Sequence, residues 1–108
     1  MNLTLRKDAD AIIAASLKAV LPDEAVRRAL QSFQPKSGRV LLAATGKAAW
    51  QMAHAARACL QDNFCGGVVV TKYGHVKGEI ADVACFEGGH PVPDENSLRG
   101  TDAALALT

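Results

Sequence analysis

The chain has 108 residues, of which 49% are hydrophobic and 21% are charged, and its formal net charge at pH 7 is +1. These values are typical of one globular domain with an ordinary core. With three Phe, one Tyr, one Trp and no stripe or block of basic residues, the chain has no cluster of side chains that would neutralise a row of phosphates and stack on bases, so a nucleic-acid surface is not expected.

No membrane or metal site is predicted either. Lys7, Asp8 and other charges interrupt the N-terminal segment, and no apolar run approaches the roughly 18 residues that cross a bilayer. Cys59, Cys65 and Cys85 are odd in number and irregular in spacing, which favours buried thiols over disulfides or a zinc site. We expect a soluble, cytoplasmic protein without membrane contact.

Two helices are predicted at the start of the chain. The first covers Thr4–Val20 and ends before Pro22, and the second covers Glu24–Phe33 after a Pro22-Asp23 turn. Residues at helical spacing form an apolar stripe on the first helix: Ala9, Ile12, Ile13, Leu17, Val20 and Leu21. The expected buried side of the second helix consists of Ala25, Val26, Ala29, Leu30 and Phe33.

A strand, a helix and a second strand are predicted next. The continuous apolar run Arg39–Thr45 is typical of a strand covered on both faces, as in a parallel sheet. An alanine-rich helix is predicted over Lys47–Leu60, and the three valines within Gly67–Lys72 predict the second strand.

The last part of the chain predicts a third strand over Asp82–Gly89 and a helix that starts between Asp94 and Ser97. The nine residues before the third strand are fewer than the dozen or so of a usual parallel crossover, so its direction stays open. Apolar residues continue to the last residue without a helix stop, and three strands are few for such a sheet, so we expect a piece of a longer protein.

The first candidate site is the Gly46-Lys47 turn between a strand and a helix. Free N–H groups and the positive end of the helix dipole at such a place favour an anion, and Lys47 adds a full charge. A Walker A loop is excluded, because Leu41 and Ala48 stand where that motif needs a glycine and a serine or threonine. The glycine fingerprint of dinucleotide-binding folds is absent as well. The alternative is a capping glycine followed by a solvated lysine.

Two further candidate sites follow the other strands. Thr71, Lys72 and His75 come at the end of the second strand, where ligands bind in open α/β sheets, although these residues alone favour an ordinary strand end with a solvated lysine. The run GGHPVPDENS after the third strand predicts a stiff loop with glycines for unusual backbone shapes and a helix cap. Its candidate binding residues are His90, Asp94, Asn96 and Ser97. An ordinary strand-to-helix turn, with His90 as a hydrogen-bonded spacer, is an equal alternative.

Three segments in this order resemble one known family: ATGKAAWQMAHAA, GGVVVTKYGH and EGGHPVPDENSLRGTDAAL. They are similar to the N-terminal domain of the glycerate 2-kinases, which end in a MOFRL domain and are also labelled hydroxypyruvate reductases. The resemblance implies an α/β fold, the N-terminal part of a three-layer Rossmann-like domain with a mostly parallel sheet. Residues 1–35 would be a helical lead-in and residues 39–108 a β-α-β-β-α core, with the rest of that domain and the MOFRL domain absent.

The resemblance also implies the chemistry. Glycerate 2-kinases transfer the γ-phosphoryl group of ATP to the 2-hydroxyl of D-glycerate, with Mg²⁺, in a cleft between two domains. Lys47 matches the active-site lysine of the family's GKAA turn, with Gly46 beside it, while His90, Asp94, Asn96 and Ser97 match its GHPVPDE loop. The 108 residues alone are expected to be inactive, and their exposed sheet edges to favour a homo-oligomer or a swapped assembly.

Two alternatives remain at this point. One is an NAD(P)H-dependent hydroxypyruvate reductase, against which the missing glycine fingerprint counts. The other is a non-catalytic module that binds phosphate or a sugar phosphate.

Overall fold

The order of helices and strands agrees with the sequence prediction. The computed structural model describes residues 2–33, 35 and 37–108, so Met1 and Gln34 of the predicted helical lead-in lie outside the described residues. A short 3-10 helix, Gln61–Asn63, joins the third α-helix to the second strand. The other elements are α1 (Leu3–Val20), α2 (Pro22–Gln31), β1 (Val40–Thr45), α3 (Ala49–Leu60), β2 (Phe64–Lys72), β3 (Val83–Gly88) and α4 (Glu95–Leu105).

The three strands form one parallel sheet in the order β1-β2-β3. Thr45 at the end of β1 lies opposite Val70, and Lys72 at the end of β2 lies opposite Gly88 at the end of β3. All three strands therefore end at one side of the sheet, which we call the carboxyl edge. The direction of β3, which the sequence left open, is parallel.

The link between β2 and β3, residues 73–82, crosses over without a helix. Side chains of α3 hold its backbone, since Trp50 Nε1 donates to the Gly78 carbonyl at 3.0 Å and Arg57 Nε donates to the Ala81 carbonyl at 3.1 Å. Ile80, only 6% exposed, packs into the core from this link. The link thus covers the sheet in the place where a crossover helix would otherwise lie.

Helices cover both faces of the sheet, which gives the predicted three-layer α/β arrangement. On one face, α3 and the link form the core, where Ala49, Ala53 and Ile80 pack against Val69 of β2. On the other face, α4 packs on β2 and β3. The many alanines of α3 allow it to lie close to the sheet, because a small side chain keeps the two backbones near each other.

Two predictions about burial are wrong. β1 is covered on one face only, because α4 lies over β2 and β3, and Leu41 on the other face is 43% exposed. Cys59 and Cys65 are exposed instead of buried, while Cys85 is half-buried and its pKa is raised by desolvation.

Several element boundaries also differ from the predicted ones. Pro22 is the first residue of α2 and not part of a turn before it, a position where proline lacks only an N–H that would be free anyway. Phe64 begins β2 three residues before the predicted start at Gly67. The last helix ends at Leu105, before the end of the chain.

The helices α1 and α2 are less well covered than predicted. Neither contains a buried residue, although α2 packs against α3 and half-buries Val26 and Leu30. Phe33, expected on the buried side, is 46% exposed. None of the helices in the described part of the chain is both long and apolar enough to span a membrane.

Candidate functional site

The turn between β1 and α3 carries Lys47 at the carboxyl edge. Gly46 there has a φ of +110°, which side-chain-bearing residues rarely adopt, and its N–H bonds to the Val70 carbonyl at 3.0 Å. The helix begins at Ala49, not at Lys47 as predicted, so Lys47 lies in the turn itself. Its side chain is exposed.

No side chain caps the start of α3, whose N-cap residue is Ala48. The first N–H groups of a helix have no carbonyl partner within it, and Trp50 and Gln51 supply two such groups here. Together with the Lys47 ammonium and the helix dipole, they make this turn electropositive. An anionic group is the ligand that this arrangement favours.

A cleft of about 520 Å³ opens beside Lys47. It lies between the start of α3, the first turn of α2 and the link that follows β2. Trp50 and His54 stack in its wall with their ring centroids 5.0 Å apart. The other lining residues are Asp23, Lys47, Ala48, Gln51, His75 and Lys77.

The segment after β2 is bonded to the Lys47 turn on one side and to β3 on the other. His75 Nδ1 lies 2.9 Å from the Lys47 carbonyl oxygen. The backbone N–H of His75 donates to Glu87 Oε2 at 2.9 Å, and the N–H of Val76 donates to the same oxygen at 3.4 Å. A carboxylate of β3 is therefore linked through His75 to the lysine turn.

The same segment also contacts the loop that precedes α4. The Tyr73 hydroxyl donates to Asp94 Oδ2 at 2.6 Å and accepts from Asn96 Nδ2 at 2.9 Å. Residues 73–76 thus bond both to the Lys47 turn and to the predicted binding loop, which places these two candidate sites on one edge of the sheet.

Asp94 serves mainly as the cap of α4. Its Oδ1 accepts from the N–H groups of Asn96 and Ser97, both at 3.1 Å, and Ser97 Oγ accepts from the Asp94 N–H at 3.1 Å in a capping box. The hydrogen bond from Tyr73, followed by that from the Gly89 N–H, lowers the pKa of Asp94 to about 2. The bond to Asp94 in turn raises the pKa of Tyr73. The Asp94 carboxylate is thus ionised and already accepts hydrogen bonds from Tyr73 and from the start of α4.

The two glycines of this loop were predicted to adopt backbone conformations closed to other residues, and this prediction is wrong. They are needed because a side chain at either position would clash with neighbouring atoms. Neither Gly88 nor Gly89 has a positive φ. A Cβ on Gly88 would lie 2.5 Å from Ser97 Oγ, and one on Gly89 would lie 2.3 Å from the Val92 carbonyl oxygen. The loop is therefore folded tightly over the end of β3, with an exposed His90 that precedes a cis peptide bond to Pro91.

Lys72 and Thr71 occupy opposite faces of the sheet at the end of β2. Lys72 is half-buried and, by strand alternation, shares its face with Val70, which packs against α4. Thr71 is 4% exposed, and its Oγ1 has no hydrogen-bond partner within the described residues.

The structure thus brings together most of the predicted site residues, in two groups joined by the segment after β2. Sequence reasoning named His75 but missed Tyr73 and Glu87, which carry the connecting bonds. Glu87 did give a signal, since an acidic residue is unusual inside the apolar run of β3.

The described residues do not form a metal centre. No three His, Cys, Asp or Glu side chains come together among them in a way that could hold an ion. The two carboxylates nearest the edge, Asp94 and Glu87, are engaged by hydroxyl and N–H donors. A phosphate group, in contrast, fits Lys47 and the free N–H groups of α3.

Comparison with known proteins agrees with the resemblance seen in the sequence. D-glycerate 2-kinase of Thermotoga maritima is 48% identical over 104 residues, which are 96% of this chain and 24% of that protein. Glycerate 2-kinase of Pyrococcus horikoshii is 36% identical over 106 residues, covering 89% of this chain and 23% of that protein. The chain thus spans about a quarter of the length of these relatives.

The fold is similar as well. A crystal structure of glycerate kinase from Thermotoga maritima superposes with a TM-score of 0.86 at 48% identity, over 96% of this chain and 25% of that one. Residues 8–108 match the family described as a domain of unknown function, DUF4147. The α/β fold and the resemblance to glycerate 2-kinases are confirmed, and the chain belongs to the DUF4147 family.

Proposed function

We propose that this chain supplies the lysine-bearing edge of a glycerate 2-kinase, an enzyme that transfers the γ-phosphoryl group of ATP to the 2-hydroxyl of D-glycerate. One observation carries the proposal: Lys47 lies in the turn before the uncapped start of α3, in a chain 48% identical to a D-glycerate 2-kinase. The relatives' names support the activity, and the geometry supports the binding of an anion.

The role proposed for Lys47 is electrostatic. Phosphoryl transfer depends mostly on positioning and on stabilising the charge that develops on the phosphoryl oxygens. Lys47 and the N–H groups of the first turn of α3 would hold a phosphoryl group or the glycerate carboxylate. ATP, when bound, supplies the phosphoryl group.

The loop before α4 would form a wall of the same site. Its backbone is held by the Asp94 cap and by Tyr73, so it would present His90 in a fixed place. Lys72 and Asn96 would add polar contacts from the same edge. Asp94 and Ser97 would act through the cap that they form, since both already bond within it.

Mg²⁺, which the resemblance implies, does not fit the described residues as its own site. Asp94 and Glu87 are engaged by hydroxyl and N–H donors, Asp23 is a single carboxylate in the cleft, and no group of three His, Cys, Asp or Glu ligands is present among the residues that the structure describes. We therefore derive no step through a metal ion held by this chain.

The test uses a chimeric enzyme in which this chain replaces the matching 104 residues of the Thermotoga maritima protein. ADP release with ATP and D-glycerate measures turnover, and ³¹P NMR of the product identifies the phosphorylated hydroxyl. Lys47→Ala should lower kcat about 100- to 1000-fold, as removal of a charge-stabilising donor does in other enzymes. Lys7→Ala, an exposed lysine of α1, is the matched control and should leave turnover unchanged.

Four results would contradict the proposal. A wild-type chimera without ADP release would do so, and so would a Lys47→Ala chimera with full turnover. Oxidation of NADH by hydroxypyruvate would favour the reductase instead. Loss of phosphate binding by Lys47→Ala without any turnover in the wild type would favour the binding module. The 108-residue chain alone is expected to be inactive, because the implied cleft needs a second domain.

A further inference from the structure

We propose that His75 and Glu87 are positioning residues that hold the Lys47 turn in place through a chain of hydrogen bonds from β3. The inference rests on the proposed function, because it assigns to Lys47 the role described above. It concerns two residues that the resemblance does not assign.

The first step is the ring of His75. A backbone carbonyl oxygen can only accept a hydrogen bond, and Lys47 presents its carbonyl oxygen 2.9 Å from His75 Nδ1. The hydrogen must therefore reside on Nδ1, which donates to Lys47. This bond fixes the backbone of the residue whose side chain reaches the anion.

The second step is the backbone of His75. Its N–H and that of Val76 both point to Glu87 Oε2, at 2.9 and 3.4 Å. Glu87 lies in β3 in register with Thr71 of β2, so its carboxylate is anchored in the sheet. Hydrogen bonds to a charged acceptor are stronger than neutral ones, which makes Glu87 an effective anchor for this segment.

The third step is the need for such a support. The Lys47 turn has Gly46 on one side and an uncapped helix start on the other, so neither neighbour supplies a side-chain bond that fixes it. The hydrogen bond from the His75 side chain supplies this missing support from the link after β2. A misplacement of about 1 Å at a reacting centre can reduce a rate by as much as about 100-fold.

The charged and titratable groups around His75 all belong to elements already described. Lys47, His54 and Lys77 line the same cleft, together with Asp23 from the first turn of α2. Glu87 faces the backbone of His75 from β3.

The experiment separates positioning from a merely structural role by rescue. In the chimeric enzyme, His75→Phe should lower kcat about 10- to 100-fold. His75→Asn should restore most of it, because its amide nitrogen can replace Nδ1 as the donor to Lys47. KM for ATP and D-glycerate should change less than kcat in both variants.

Glu87 is tested with a matched glutamate in the link. Glu87→Ala should lower kcat as His75→Phe does, whereas Glu79→Ala, an exposed residue of the same link, should not. The double variant Glu87→Ala/His75→Phe should lose no more than either single variant, since both act through one chain of bonds.

A second measurement does not depend on activity or on the stability of any variant. In the 108-residue wild-type chain, ¹⁵N NMR at neutral pH should show the His75 proton on Nδ1. A neutral ring with its only proton on Nε2 would overturn the proposal, because Nδ1 could not then donate to Lys47. It would also be overturned by a His75→Asn enzyme as slow as His75→Phe, or by a His75→Phe enzyme with full kcat. In contrast, a wild-type chimera that lacks kinase activity would refute the proposed function alone, since the NMR result would still stand.

Discussion

Tyr73 connects the end of β2 to the start of α4 through a single hydroxyl group. It donates to Asp94 at 2.6 Å and accepts from Asn96 at 2.9 Å, while its side chain is 52% exposed. Because packing covers only about half of the ring, these two bonds decide where it lies. The position of the loop before α4 therefore depends on one phenolic oxygen.

Replacing Tyr73 by Phe should raise the pKa of Asp94 from about 2 toward that of an ordinary aspartate, because the Tyr73 bond is the largest cause of the shift. The folded-state pKa lies below the unfolded one. Asp94 therefore stabilises the fold above about pH 4, and this contribution is lost as the pH falls toward about 2. The Tyr73→Phe chain should lose less stability over that range than the wild type.

A ¹³C NMR titration of the Asp94 carboxyl measures the pKa, and urea unfolding at several acidic pH values measures the stability. Ser97→Ala is the matched control. It removes the weaker side-chain bond to Asp94 but keeps the backbone one, so its effect on the pKa of Asp94 should be smaller. An equal or larger effect in Ser97→Ala would contradict the role given to Tyr73.

The link between β2 and β3 shows why the sequence left the direction of β3 open. A ten-residue crossover without a helix is short for a parallel pair, and the rule that disfavours it assumes that a helix must cover the sheet. Here Ile80 and the backbone held by Trp50 and Arg57 provide that cover. These contacts join residues 24 or more positions apart, so local pattern could not reveal them.

The candidate site was predictable to the extent that its features are local. The Gly46-Lys47 turn and the capping residues of α4 follow from neighbouring residues, and the structure has both. Tyr73 and Glu87 bond to residues 21 and 12 positions away, which only the parallel pairing of β2 and β3 brings close. Long-range partners of this kind need the fold before they can be named.

The contact of α4 with the sheet depends on Gly100. A Cβ at this position would lie 2.7 Å from Val70 Cγ2 and 3.1 Å from Phe86 Cβ. Alanine favours an exposed helix interior over glycine by roughly 0.8–1 kcal/mol. At Gly100 we expect alanine to destabilise the fold instead, because α4 would have to move away from β2 and β3. The cost in the free energy of unfolding should be about 1–3 kcal/mol.

Urea unfolding of the 108-residue chain tests Gly100→Ala. Arg99→Ala, an exposed neighbour on α4, should change the free energy of unfolding by no more than about 0.5 kcal/mol. Val70→Ala should make room for the new methyl group, so the double variant should be less destabilised than the sum of the two single changes. A Gly100→Ala chain as stable as the wild type would show that α4 packs less tightly than described.

The molecule as a whole is elongated. Its radius of gyration is 17.3 Å, whereas a compact domain of this length has roughly 13 Å. The helix α1 accounts for much of the difference, because Leu21 alone separates it from α2 and it contains no buried residue. Its apolar side chains are exposed, with Ile13 at 56% and Leu17 at 61%.

Such a helix should drive association between copies of the 108-residue chain, because apolar area removed from water contributes about 25 cal/mol per Å². We expect the average mass to rise with concentration in light scattering. Leu17→Glu should shift the chain toward the monomer, since it places a charge in the apolar stripe. Ser16→Glu adds the same charge at an exposed polar position of the same helix and should leave the association almost unchanged.

A truncated chain that begins at Leu21 provides the complementary measurement. Because α1 buries no residue, its removal should abolish the association while the urea midpoint of the remaining fold stays close to that of the monomeric Leu17→Glu chain. If the truncated chain still associates, the contact must instead involve the outer strands β1 and β3, which are the open edges of the sheet. If the midpoint falls sharply, α1 must stabilise the core in a way that its exposure does not indicate.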